Sequence, residues 1–353
     1  MDPAFWRDRR VLLTGHSGFK GGWTALWLAA LGARVTGFST PPPSQPSLFE
    51  LARVAEACAE SVTGDVRDAA HVGEVMQRAR PEVVIHMAAQ PIVRRSLVDP
   101  AETWEVNVMG TVAVLEAVRA CPDVRAVVVV TSDKCYRDVE SGRPQREDDP
   151  LGGKDPYSAS KAAQELVTAA HRRTMLAGHG AAVASARAGN VFGGGDWGAD
   201  RLVPDLFRAA LAGEPLVVRS PDAVRPWQHV LNPLSGYLRL AQALFESRPS
   251  EGFDAGWNFG PAGDDELPVK AIVDRLTSRW DGELEVRVEP DPDTGKEAAV
   301  LRLDSSKARE RLGWRPRWAL EAGLDATVDW FAALRDGADV RAATIAQIEA
   351  FTS

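Results

Sequence analysis

Short apolar runs punctuate the first half of the chain at regular intervals. RVLLT (10–14), RVTGF (34–38), EVVIHMA (82–88), the stretch 126–131 and the stretch 181–187 are nearly continuous in Val, Ile, Leu and Ala. Such runs read as strands covered on both faces. Between them, 20–31, 68–79, 101–120 and 158–177 place apolar residues at helical spacing; in 101–120 these are Val106, Val108, Val112, Val114, Leu115 and Val118. Short buried strands alternating with helices require right-handed crossovers and a parallel sheet. The expected class is therefore α/β, a doubly wound parallel sheet.

The pattern changes near residue 190. Gly, Pro, Trp and Arg become frequent in GNVFGGGDWGADRLVPD and AVRPWQHVLNPL, with helical stretches at 202–212, 233–247, 268–279 and 304–312. We expect residues 1–188 to form a dinucleotide-binding domain and 189–353 a smaller C-terminal substrate-binding lobe, with some of its segments returning to the first domain. The chain has 353 residues, 45% of them hydrophobic, enough to bury a full core. Its net charge is -8 and no stretch concentrates Lys and Arg, so no nucleic-acid partner is expected. No apolar run approaches the roughly 20 residues of a membrane span. The opening MDPAFWRDRRVLLTG has no signal-peptide apolar core, which suggests a cytoplasmic protein. Cys58, Cys121 and Cys135 are scattered, and the six His show no ligand spacing, so no metal site is expected.

Two features carry chemistry. TGHSGFKG (14–21) follows the first strand and opens the first helix. Gly15 permits a tight turn, Gly18 lets backbone N–H groups approach a pyrophosphate, and Gly21 allows close helix packing. The strand 126–131 then delivers TSDKCY (131–136), which sets an acid, Asp133, beside a base, Lys134. Farther on, YSASK (157–161) puts Tyr157 and Lys161 on one helix face.

Together with GGKDPYSASK, RAGNVFGGGDW, RLVPD and RPWQHVLNPLSGY, these motifs resemble the extended short-chain dehydrogenase/reductase family, with a Rossmann-like sheet and NAD as cofactor. The resemblance implies cofactor contacts at Gly15, His16, Gly18, Phe19, Lys20, Asp65, Val66, Ala88, Tyr157 and Lys161. Ser39 stands where an acid usually grips the adenosine ribose, and His16 and Lys20 are bulky, which hints at looser cofactor binding. Tyr157 would be the base, its phenol acidified by the Lys161 cation, and Ser132 would hold the substrate hydroxyl. The adjacent Asp133 and Lys134 resemble the pair of the 4,6-dehydratases, with Asp133 as acid for a departing hydroxyl and Lys134 as base at C5. Asp-Lys resembles the branch acting on CDP-glucose. Asn107, Asn190, Arg201 and Arg225 are implied on the substrate side: Arg225 and Arg201 at the diphosphate, Asn107 supporting the site through a helix irregularity. Helices 101–120 and 158–177 would make a homodimer. A nucleotide-sugar 4-epimerase or reductase, and a non-catalytic sensor of the same fold, remain open alternatives.

Overall fold

Seven strands form one wholly parallel sheet: β1 (Arg10–Thr14), β2 (Arg34–Ser39), β3 (Glu60–Thr63), β4 (Val83–His86), β5 (Ala126–Val130), β6 (Ala182–Ala188) and β7 (Gly256–Phe259). Their order across the sheet is β3-β2-β1-β4-β5-β6-β7. This computed structural model describes residues 2–137, 142–247, 251–261, 263–289 and 301–353. Alternation along each strand feeds two cores. Val11 and Leu13 of β1, with Val128 and Val130 of β5, face one; Leu12, Val127 and Val129 face the other.

The chain runs outward from β1 to β3, then returns to place β4 on the other flank of β1. That reversal opens a crevice beyond the carboxyl ends of β1 and β4, where doubly wound sheets bind ligands. The Thr14 hydroxyl oxygen seals its floor, accepting from the N–H groups of Met87 and Ala88 at 3.1 Å each.

The predicted strands and helices of the first half form, with ends shifted by at most four residues. The region expected as one helix over 101–120 is Pro100–Trp104, a π-helical turn at Glu105–Met109, and Gly110–Arg119. Three features were not individually placed by the pattern, although some return of the second half to the first domain was expected. β3 is a half-buried four-residue strand. β7 is the seventh strand of the main sheet, supplied by the second half of the chain. Helices Leu320–Arg335 and Val340–Thr352 close the far end. One core runs from Phe5 to Phe351, so packing does not divide at residue 188. Trp6, Trp23, Trp27, Trp257 and Trp330 are fully buried in it, as packing residues.

Candidate active site

The Gly-rich turn keeps its expected geometry. Gly15 has φ +78, and a Cβ there would lie 2.7 Å from the Ala88 nitrogen, so only glycine fits. Gly18 caps the helix Phe19–Ala30 with no side-chain cap, and a Cβ on it would meet only the Gly15 carbonyl, at 3.4 Å. A bare helix N-terminus behind an open glycine suits a pyrophosphate, so these residues fit a dinucleotide.

Its two bulky residues each find partners within the protein. The His16 ring nitrogens meet the Ser39 hydroxyl at 3.0 Å and the Ser61 hydroxyl at 2.8 Å, and burial lowers its pKa to about 4. His16 thus wedges against the ends of β2 and β3, and the Ser39 hydroxyl is committed to it and to the Ser17 N–H. Lys20 turns to the other side. Its amine donates to the Tyr237 hydroxyl at 3.2 Å and lines a cavity with Asp133. Burial first, then Arg201, brings its pKa down to about 8. Asp65 accepts from the Arg67 guanidinium at 2.6 Å; Val66 is buried against Gly110.

The cavity, of about 360 Å³, lies beyond β5. β5 is buried along its whole length, and the residues at its carboxyl end, Val130 to Lys134, line this space. There Ser132 caps a tight turn over Asp133–Cys135: its oxygen accepts from the Lys134 N–H at 3.2 Å and its hydroxyl donates to Asp133 Oδ1 at 2.9 Å. Asp133 Oδ2 is buried with no hydrogen-bond partner among the described residues. Burial dominates the Asp133 carboxyl and raises its pKa, against the pull of Lys134, Ser132 and Arg225. Lys134 is half-buried on the same wall.

Tyr157 and Lys161 reach the cavity from the helix Pro156–Arg173. Asp155 caps that helix by accepting from the Ser158 N–H at 2.9 Å, and the Tyr157 N–H donates to the Ser96 hydroxyl. The phenol departs from expectation. Burial pushes it up to about 12, and a hydrogen bond with Ser132 opposes this. The Lys161 amine instead donates to Gln164 Oε1 at 2.9 Å, and burial, then Lys20, lowers its pKa to about 7.

Asn190, Arg201 and Arg225 line the same cavity, with Phe19. Arg225 is nearly buried; Arg201 pairs with Asp196 at 3.1 Å. Arg219 pairs with exposed Asp200 instead. Asn107 does not line the cavity. Its Oδ1 accepts from the Gln90 N–H at 2.8 Å, and its Nδ2 donates to the Gln90 carbonyl and the Ser160 hydroxyl. With every polar atom spent inside the protein, it is a brace within the π-helical turn rather than a substrate contact. Sequence reasoning missed Lys20 as a cavity residue and Tyr237 beneath it. Tyr237 ends the quoted RPWQHVLNPLSGY, the one signal that could have found it.

The family profile described as GDP-mannose 4,6 dehydratase matches residues 12–327. A CDP-glucose 4,6-dehydratase of Salmonella typhimurium is 45% identical, over 96% of this chain and 95% of its own length. A dTDP-glucose 4,6-dehydratase of Xanthomonas campestris is 31% identical over 91% of this chain and 92% of its own. Among solved structures, a dTDP-glucose 4,6-dehydratase from Streptomyces venezuelae with NAD bound superposes with a TM-score of 0.78 at 26% identity, covering 94% of this chain and 99% of the other. The chain therefore belongs to the GDP-mannose 4,6-dehydratase family of extended short-chain dehydrogenases/reductases.

Proposed function

We propose that the protein is an NAD-dependent 4,6-dehydratase that converts CDP-glucose to CDP-4-keto-6-deoxyglucose. One observation carries the dehydration: Asp133 is a buried carboxyl with an unpartnered Oδ2, beside Lys134, in the cavity that holds Tyr157 and Lys161. Arg225 and Arg201 suit the diphosphate, because a guanidinium meets phosphate oxygens at two points. The identity of the base rests on likeness to the Salmonella relative.

The N–H groups of the 15–18 turn would hold the NAD pyrophosphate, and Lys161 the nicotinamide ribose. Bound NAD supplies a hydride acceptor for C4 and a hydride donor for C6. Tyr157 would take the C4 hydroxyl proton as its phenolate, a form that the positive charges of Lys161 and the bound nicotinamide favour against the burial that raises its pKa, with Ser132 holding the hydroxyl. The new ketone acidifies the C5 proton, which Lys134 removes. Asp133 gives its proton to the C6 hydroxyl, which leaves as water. The burial that raises the Asp133 pKa favours the protonated form needed there. A proton returns to C5 from Lys134 when C6 is reduced, so the product differs from the substrate by one water.

A homodimer is part of this reading. The helices expected to pair expose Trp104, Met109 and Leu166, and the neighbouring helix Val93–Val98 exposes Leu97 and Val98. A cytoplasmic setting suits three free cysteines. Among the described residues no helix is long and apolar enough to cross a membrane. The testing experiment is incubation with CDP-, dTDP-, GDP- and UDP-glucose, following product mass and solvent deuterium at C5. Turnover fastest with CDP-glucose, with loss of water, is expected; an unchanged mass with all four would contradict the reading.

A further inference from the structure

The amine of Lys161 ends a buried chain of hydrogen bonds whose donors can be counted. Thr111, Gln164 and His86 are each fully buried. The Thr111 hydroxyl donates its one proton to the Asn107 carbonyl at 2.7 Å. Its two other contacts, Gln164 Nε2 at 2.8 Å and His86 Nε2 at 3.0 Å, must therefore both donate to it. That fixes the amide of Gln164: nitrogen toward Thr111, oxygen toward Lys161, 2.9 Å away. It also fixes the ring of His86. Its Nδ1 is left to accept the Thr14 proton at 2.7 Å, while the Thr14 oxygen accepts from Met87 and Ala88. Burial, which lowers the His86 pKa to about 3, keeps that ring neutral. The same Thr14 that seals the crevice floor thus orients, through His86 and Thr111, the acceptor for Lys161.

We propose that Gln164 is a positioning residue for Lys161: its amide oxygen, locked by Thr111 and His86, holds the amine in its charged form and presents it to the ligand's hydroxyls from one direction. A glutamine free to rotate could turn its oxygen away from the amine; here a flip would break two buried bonds. The inference rests on the proposed role of Lys161 at the nicotinamide ribose. The other ionisable groups acting on this amine are Lys20 from the helix Phe19–Ala30, Cys135 from the turn after β5, and Glu165 from its own helix. His86 of β4 feels the amine in turn, and Tyr157 lies one helical turn away.

The test is the NAD dissociation constant as a function of pH, read from tryptophan fluorescence, for the full-length protein, Gln164→Glu, Gln164→Leu and Thr111→Val. A carboxylate facing the amine should move the midpoint of the pH dependence up by about one unit, and loss of the acceptor should move it down by about one unit. Thr111→Val keeps Gln164 but unlocks it, and should shift the midpoint in the same direction as Gln164→Leu. It also serves if Gln164→Leu does not fold. Shifts of opposite sign from two substitutions at one position cannot come from lost stability alone. Identical midpoints in all four proteins, or shifts of one sign, would overturn the proposal. NAD binding with no pH dependence in the wild-type protein would remove the assumed role of Lys161 itself, and the inference with it.

Discussion

Asp133 and Lys134 are neighbours in the chain, yet the turn they occupy gives them different surroundings. Asp133 is buried with one oxygen unpartnered, and Lys134 is half-buried on the cavity wall. The pairing was legible at once, because a strand as apolar as β5 can only deliver polar residues at its end. The behaviour of the phenol was not legible. A Tyr-Lys pair at this spacing suggests an acidified phenol, but the structure gives the Lys161 amine to Gln164 and leaves Tyr157 dominated by burial. Asp133→Asn should lower the rate of water loss by about 10²- to 10⁴-fold, while reduced nicotinamide from C4 oxidation still accumulates. Equal loss of both signals would remove Asp133 from the dehydration step. Lys161 also makes a stability prediction. Its folded pKa of about 7 lies below the ordinary 10.5. Between those values the unfolded chain binds the extra proton, so the contribution of this group to stability rises with pH through that window and is flat and lowest below about 7. The melting temperature of the wild type relative to Lys161→Met should therefore climb from pH 7 to about 10.5. A constant difference would contradict the burial of that amine. Lys20 titrates in the same window, but both proteins contain it.

Elements hold the reacting turn from behind. The Glu165 carboxylate accepts from Arg187 at 2.7 Å and from the Thr131 and Ser185 hydroxyls at 2.5 Å each, with both charged side chains buried. Arg187 donates onward to the Tyr136 hydroxyl at 2.7 Å, and Tyr136 donates to Asn258 Oδ1 of β7 at 2.6 Å. One network thus ties the ends of β5 and β6, the helix of Tyr157 and strand β7 to the segment 131–136. Arg187→Met should cost about 3–5 kcal/mol in denaturant unfolding, since it strands a buried carboxylate. Adding Glu165→Gln should recover part of that loss; a double variant no more stable than the single would mean the pair is not coupled. The sequence pattern did not reveal β7. A strand returning after some seventy residues of loops and helices leaves no local sign of which sheet it joins, and WNF is too short to declare a period. β3 escaped for a related reason: it is half-exposed at the sheet edge and has few apolar residues. The π-helical turn was legible only by family likeness, since the spacing of Val106, Val108 and Val112 reads as one unbroken helix.

For the whole molecule, alternating strands and helices were sufficient to give the parallel sheet, and the phosphate turn to give its crevice. The division at residue 188 was less secure, because hydrophobic periodicity marks elements and not which core they join. The second half supplies β7, part of the common core and nearly half of the cavity lining. The exposed Trp104, Met109 and Leu166 lead to an assembly prediction. Sedimentation should give twice the chain mass, and Met109→Glu with Leu166→Glu should give a monomer with its melting transition retained. A wild-type monomer at micromolar concentration would refute the dimer.

The most direct measurement is the mass and proton content of the sugar nucleotide recovered after incubation with CDP-glucose and NAD in heavy water. The account predicts a product lighter by the elements of water, with deuterium at C5. A product of unchanged mass, epimerised at C4 or simply oxidised there, would contradict it.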